Sequence, residues 1–220
     1  MEIIIRQEMP ADYRETENVT REAFFNQYSP GCAEHYLLHI MRNAQAFVPQ
    51  LDLVAIHDGR IVGNIAFAKG TLQGDDGHAY EVLSLGPISV LPPFQGRGIG
   101  GRLIACAKER ARQMGYRAMF LCGDPAYYVR QGFRPAKEFG IRTADGMYAA
   151  ALQACELYEG ALCGLSGRYV EDPIYEVDIQ AAEAFDQAFP PMEKQSGVKM
   201  QQRFLKIASM REAAREPYTK

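Results

Sequence analysis

Apolar and polar positions follow two rhythms along this chain, and the switches between them mark out its elements. Residues 2–6, Glu-Ile-Ile-Ile-Arg, form a β-branched run that predicts an opening strand. Pro10 to Phe24 reads as a helix, with proline near its start and acids early. Tyr36, Leu37, Ile40, Met41 and Ala44 fall at helical spacing and predict a helix over 33–46. Residues 52–57 and 60–67 are two strand-like runs around Asp58-Gly59, a strong hairpin signal. Gly74-Asp-Asp-Gly77 marks the next turn, and Ala79 to Val90 the next strand, interrupted at Gly86-Pro87. A proline cannot donate to a ladder, so a bulge or a parting of strands is expected there; a simple edge strand is the plainer alternative.

The second half reads less evenly. Arg102 to Met114 is an amphipathic helix stopped by Gly115. Arg117 to Cys122 predicts a short buried strand, and Pro125 to Gln131 a short helix halted by Gly132. Residues 149–157 and 165–170 are expected to close the sheet as a hairpin. Gln180 to Phe189 reads as a helix stopped by Pro190-Pro191, and Lys199 to Glu216 as a last helix. That last helix carries Met200, Phe204 and Ile207 on one face, with Lys199, Arg203 and Lys206 beside it. A helix this short is marginal alone. Its apolar face therefore calls for cover by its own domain or by a second copy in a homodimer.

Composition narrows the class. Hydrophobic content of 47% and charged content of 23% are those of a folded globular protein. A formal net charge of −3 argues against a nucleic-acid partner. No apolar run reaches the length of a membrane span, and the N-terminus has no basic-then-apolar leader. The five cysteines form no C-x-x-C pair and are odd in number, which fits free thiols in a reducing cytoplasm.

The chemistry concentrates in Leu85 to Leu103, which reads as a strand, a glycine loop and the first turn of a helix. Such a junction points several backbone N–H groups and the positive end of a helix dipole at one spot, an arrangement that binds phosphate. Gly96, Gly98, Gly100 and Gly101 let the backbone approach the anion, and Arg97 and Arg102 add charge. The glycines literally match G-x-G-x-x-G, but a dinucleotide loop needs a strand running straight into the first glycine. Pro92, Pro93, Phe94 and Gln95 intervene here.

Gln95-Gly-Arg-Gly98-Ile-Gly100 instead resembles the Q/R-x-x-G-x-G/A loop of the GNAT superfamily of N-acetyltransferases. Gly123-Asp-Pro-Ala-Tyr-Tyr128-Val-Arg-Gln-Gly132-Phe133 resembles that family's later motif, a tyrosine four residues before Gly-Phe. The resemblance covers roughly residues 1–175 and looks closest to bacterial members with a Gly-Asp-Pro-x-Tyr-Tyr signature. It leaves 176–220 as a C-terminal helical extension. It implies a mixed α/β (α+β) fold whose mostly antiparallel central sheet is splayed at the fourth strand, with helices on both faces. It also implies acetyl-CoA as cosubstrate. The loop residues Gln95, Gly96, Arg97, Gly98, Ile99, Gly100 and Gly101 would hold its pyrophosphate. Backbone groups of Ile88, Ser89 and Val90 would pair with the pantetheine arm, and Tyr127 would be a further cofactor contact. No metal is implied.

The reaction implied is direct attack of an amine on a thioester. It needs a deprotonated amine, a polarised carbonyl and a proton for the departing thiolate. Tyr128 occupies the family's tyrosine position, and a phenol (pKa about 10) can serve a thiolate (about 8.5). The family's glutamate position falls near Ser84, which cannot act as a base. Glu81 lies nearby on the opposite face of the strand, and a water chain is the other route. A non-catalytic acyl-CoA sensing module is the rival reading that this gap motivates. Cys122 reads as a buried strand thiol, with a nucleophilic role as its alternative. His35 and His39, four apart, lack a third metal ligand. The acceptor, a small amine or a protein N-terminus, is not named by any residue.

Overall fold

A computed structural model describes residues 1–214. The chain opens with β1 (Ile4–Gln7), α1 (Tyr13–Phe24) and α2 (Glu34–Met41), then β2 (Leu53–His57), β3 (Arg60–Gly74) and β4 (Ala79–Val90). It continues with α3 (Ile99–Gln113), β5 (Ala118–Cys122), α4 (Pro125–Tyr128), β6 (Arg134–Pro135), β7 (Ile141–Thr143), β8 (Met147–Ala149), β9 (Leu152–Glu156) and β10 (Gly167–Val170). It finishes with α5 (Ile179–Asp186), α6 (Lys199–Ser209) and β11 (Arg211–Ala213).

Nine strands form one sheet in the order β1-β2-β3-β4-β5-β9-β6, and β10 and β7 join beside the far half of β3. Only β4–β5 and β10–β7 run parallel. The helices cover both faces because β3 alternates: Ile65 and Phe67 pack with Leu103, Ile104 and Ala107 of α3, whereas Ala66 and Ala68 pack with Leu37, Leu38 and Met41 of α2. This is the expected mixed, mostly antiparallel α/β fold. A second cluster, with Phe120, Ile141, Leu152 and Tyr169, fills the curl made by the far half of the sheet.

The interruption in β4 is a bulge. Ile65 opposes Ile88 and Phe67 opposes Leu85, so two steps on β3 match three on β4, with the extra residue at Gly86-Pro87. Just before it, β4 and β5 pair at only two positions, Leu83 with Met119 and Ser84 with Phe120, and then part. The splay thus opens where proline denies the ladder a donor.

Three expectations change. Residues 149–157 and 165–170 do not pair as a hairpin. β9 instead lies between β5 and β6, giving β5 an antiparallel neighbour on its outer edge, and β10 runs along β3. The helix expected over 33–46 stops at Met41, after which the chain turns and Phe47 bridges to Ala68 of β3. The last helix ends at Ser209, and Arg211–Ala213 is a strand that pairs with β8, with Met210 O accepting from Ala150 N–H at 2.9 Å. Residues 215 and 216 of that expected helix lie outside the described residues.

The C-terminal segment is tied to the rest by specific side chains. Asp186 at the end of α5 receives Arg21 Nε of α1 at 2.5 Å and lies 3.1 Å from the buried His35 Nε2. Phe204 of α6 packs on Tyr28, the rings tilted and 4.6 Å apart between centroids, and Arg203 Nε bonds Asp124 at 2.5 Å.

Candidate active site

The site is assembled where β4 leaves β5. Residues 92–94 make a tight turn after β4, and Gln95 Nε2 bonds back to Val90 O at 2.9 Å, which closes the loop against its own strand. Gly98 caps α3 with φ of +80°, a left-handed conformation that glycine adopts without a Cβ penalty. The first amide of the helix to find a backbone partner is Arg102, which donates to Gly98 O at 3.1 Å. The amides of Ile99, Gly100 and Gly101 are therefore left pointing out of the helix end, with the dipole behind them. Gln95 to Gly98 are exposed beside them. Arg102 is used elsewhere: its guanidinium bonds Ile3 O at 2.7 Å, whereas Arg97 lies over Phe94 at the surface.

Ile88, Ser89 and Val90 pair with β3 on one edge, and β5 has already left their other edge. The Ser89 hydroxyl is buried and bonded to Asn64 Oδ1 at 2.6 Å, so it is used within the fold.

The tyrosine motif folds against this loop. Asp124 caps α4 by accepting from Ala126 N–H at 3.0 Å, and its other oxygen holds Arg203. Tyr127 reaches the helix start, its hydroxyl 2.6 Å from where a Cβ on Gly100 would stand. Tyr128 packs edge-on to Tyr127 and Phe133, with centroids at 4.9 and 5.5 Å. Its ring lies so close to Gly123 that a Cβ there would be 2.4 Å from it, which explains a glycine at the exit of β5. The two sequence motifs are thus brought into contact. The Tyr128 hydroxyl makes no hydrogen bond to another described residue. Burial raises its pKa, so the phenol keeps its proton.

Glu81 stands apart from this group. It sits near the exposed start of β4, with its carboxylate 3.0 Å from Lys69 Nζ. Ser84 is buried, and its hydroxyl accepts from Tyr169 at 2.6 Å. Tyr175 completes the mouth of the splay. Its hydroxyl lies 3.1 Å from Ser84 O and 3.2 Å from Gly86 O, on the carbonyls that flank the bulge. Tyr169 and Tyr175 carry no motif that could have singled them out: one lies in a short strand and the other in the turn after Pro173.

Beyond the mouth lies a cavity of about 380 Å³ whose walls include Cys122, Tyr169, Glu171, Tyr175 and Arg211. Cys122 opens onto this cavity instead of being buried as a strand thiol. Its concave surroundings and Glu171 push the thiol up to about 12, which keeps it from acting as a thiolate. Arg211, from the C-terminal strand, is held by Asp145 at 2.6 Å. His35 and His39 have separate partners, Cys32 and Asp186 for the first and Glu17 for the second. Among the described residues, no group of three or more His, Cys, Asp and Glu side chains is placed to hold a metal, and no helix is long and apolar enough to cross a membrane.

An amide-lined helix start thus lies beside the splayed β4, with Tyr127 packed against it. Residues 13–133 match the acetyltransferase (GNAT) family, and the chain belongs to it. It is 30% identical over 166 residues to the uncharacterized N-acetyltransferase YhbS of Escherichia coli K12, a match that covers 75% of this chain and 93% of that protein. Its match to the E. coli N-acetyltransferase YjhQ is 41% identical over 88 residues, 40% of this chain and about half (48%) of YjhQ. The crystal structure of E. coli YhbS in complex with CoA superposes with a TM-score of 0.71 at 26% identity, over 80% of this chain and 93% of that one. A GNAT family acetyltransferase from Brucella melitensis in complex with acetyl-CoA gives 0.61 at 30% identity, over 79% and 98%.

Proposed function

We propose that this acetyltransferase moves an acetyl group from acetyl-CoA to a primary amine by direct attack with both substrates bound. The observation that carries the reading is the contact between the two halves of the site. Tyr127, packed edge-on to Tyr128, sets its hydroxyl against Gly100 at the start of α3, beside the strand edge that β5 leaves. That YhbS and the Brucella enzyme hold CoA and acetyl-CoA supports the same cosubstrate here.

The residues fit that cosubstrate. Gln95, Gly96, Arg97, Gly98, Ile99, Gly100 and Gly101 would hold the pyrophosphate, and the free edge of Ile88 to Val90 would receive the pantetheine amides. Tyr127 lies alongside. Bound acetyl-CoA supplies a thioester whose carbonyl carbon gains a C–N bond as its C–S bond breaks. Tyr128 delivers its proton to the leaving sulfur, and burial keeps that proton in place until then. Tyr175 pins the carbonyls of Ser84 and Gly86, which fixes the bulge that opens the cleft. Residues 176–220 are best read as an extension of a 1–175 core, with Phe204 and Arg203 roofing Tyr28 and α4.

The test is release of free CoA thiol from acetyl-CoA across a panel of amines. Amine-dependent thiol release is expected. Tight CoA binding with no turnover on any amine would favour the sensing module.

A further inference from the structure

We infer that Glu171, just past the end of β10, is the carboxylate that receives the acceptor amine and takes its proton. The inference rests on the acetyl-transfer reading above. It begins with a vacancy of function on β4. Ser84 stands where the family resemblance places a carboxylate, and its hydroxyl is already spent on Tyr169. Tyr169 belongs to β10, a strand that reaches this point only because β10 lies along β3.

Glu171 follows Tyr169 by two residues, just past the end of the strand, and both line the cavity. The Tyr169 hydroxyl donates to Ser84 Oγ at 2.6 Å. Ser84 and Tyr169 thus form a bonded pair from β4 to the cavity wall that Glu171 shares. Glu171 also lines the cavity with Cys122 and Tyr175, whose hydroxyl touches the bulge carbonyls where the acetyl group would lie.

Two carboxylates on the cavity wall, Glu171 and Glu176, form no ion pair among the described residues, and Glu171 is the one two residues from Tyr169; the others nearby are engaged. Asp145 holds Arg211, Asp172 caps the turn at Ile174, and Glu81 holds Lys69. Arg211 is the cation on the cavity wall, and Asp145 neutralises it. Glu171 is exposed at the cavity wall, and partial desolvation there raises its pKa. An ammonium arriving here supplies the missing counter-charge. Glu171 takes one proton from it, and the nitrogen lone pair is released for attack on the thioester carbon. As the C–N bond forms, the second nitrogen proton leaves to water and Tyr128 protonates the sulfur.

The test is the pH profile of kcat/KM for Glu171→Gln beside Glu81→Gln and wild type, on an amine that wild type acetylates. Glu171→Gln is expected to lower kcat/KM about 10²-fold near pH 7 and to lose the acidic limb. It should recover at alkaline pH, where the amine deprotonates in solution, and keep the wild-type melting shift with CoA. Glu81→Gln is expected to match wild type. Glu171→Asp, which keeps the carboxylate, should retain the acidic limb even if it is slower. A wild-type profile in Glu171→Gln, or loss of the limb in Glu81→Gln alone, would overturn the assignment. Wild type that binds CoA but acetylates no amine would instead refute the acetyl-transfer reading, and the base assignment with it.

Discussion

Replacing Tyr128 with phenylalanine removes one oxygen and leaves everything the ring does in place. The ring contacts to Tyr127 and Phe133, at 4.9 and 5.5 Å between centroids, survive. The hydroxyl bonds no described residue, so its loss orphans no partner, and stability should change by less than about 0.5 kcal/mol. Its work is confined to the leaving sulfur. General-acid contributions run from about 10² to 10⁴, and a CoA thiolate is already a fair leaving group, so the low end applies. A loss of about 10² in kcat corresponds to about 2.7 kcal/mol of transition-state stabilisation. The interaction grows as the C–S bond breaks, so the KM for acetyl-CoA should hardly move. The assay is steady-state thiol release at saturating amine, with a melting curve as control. Full kcat in the variant would refute the proton-donor role. Normal kcat with weakened acetyl-CoA binding would make Tyr128 a binding residue.

Other outcomes follow from the same geometry. Gly123→Ala places a methyl 2.4 Å from the Tyr128 ring, so it should displace that ring and lower kcat at least 10-fold with the CoA melting shift retained; an unchanged kcat would show that the ring's position does not matter. Asp52 is buried beside Glu8, and desolvation with that neighbour pushes its carboxyl up to about 9, so the folded chain holds a proton that the unfolded chain sheds above about 3.9. That contribution is complete at low pH and is lost as pH rises toward 9, at about 1.4 kcal/mol per pH unit for one proton. Asp52→Asn removes the dependence, so its stability relative to wild type should climb with that slope between pH 5 and 8; a constant difference measured by urea unfolding across that range would contradict the protonated-pair account.

What could be read from the sequence was what glycine and proline decide locally. Gly86-Pro87 announced the bulge, Asp58-Gly59 the hairpin, Gly115 the end of α3, and the Gln95–Gly101 run the glycine loop that opens α3, because each acts through its own backbone. The adjacency of the two motifs followed from the family resemblance, and the structure adds its form, Tyr127 over Gly100. Long-range placement was hidden. Nothing in residues 149–170 says that β9 enters beside β5 while β10 crosses to β3, since both are short apolar runs that suit any edge. The bond between Tyr169 and Ser84 spans 85 residues, and that between Arg21 and Asp186 spans 165. Such polar pairs have no period. Arg102 looked like a phosphate ligand by its neighbours, yet the carbonyl of Ile3, brought alongside by β1, claims it.

The central claim is that the Gln95–Gly101 loop holds the pyrophosphate of acetyl-CoA, and Gly98→Glu tests it most directly. Nothing lies within 4 Å of a Cβ built on Gly98, but its φ of +80° disfavours a side chain, so circular dichroism must show the fold intact. The carboxylate would then stand where the anion belongs. Wild type should gain melting temperature with CoA, about 2.7 kcal/mol at 100 times Kd. The variant should gain none at the same concentration. A folded variant that binds CoA with wild-type affinity would contradict the account.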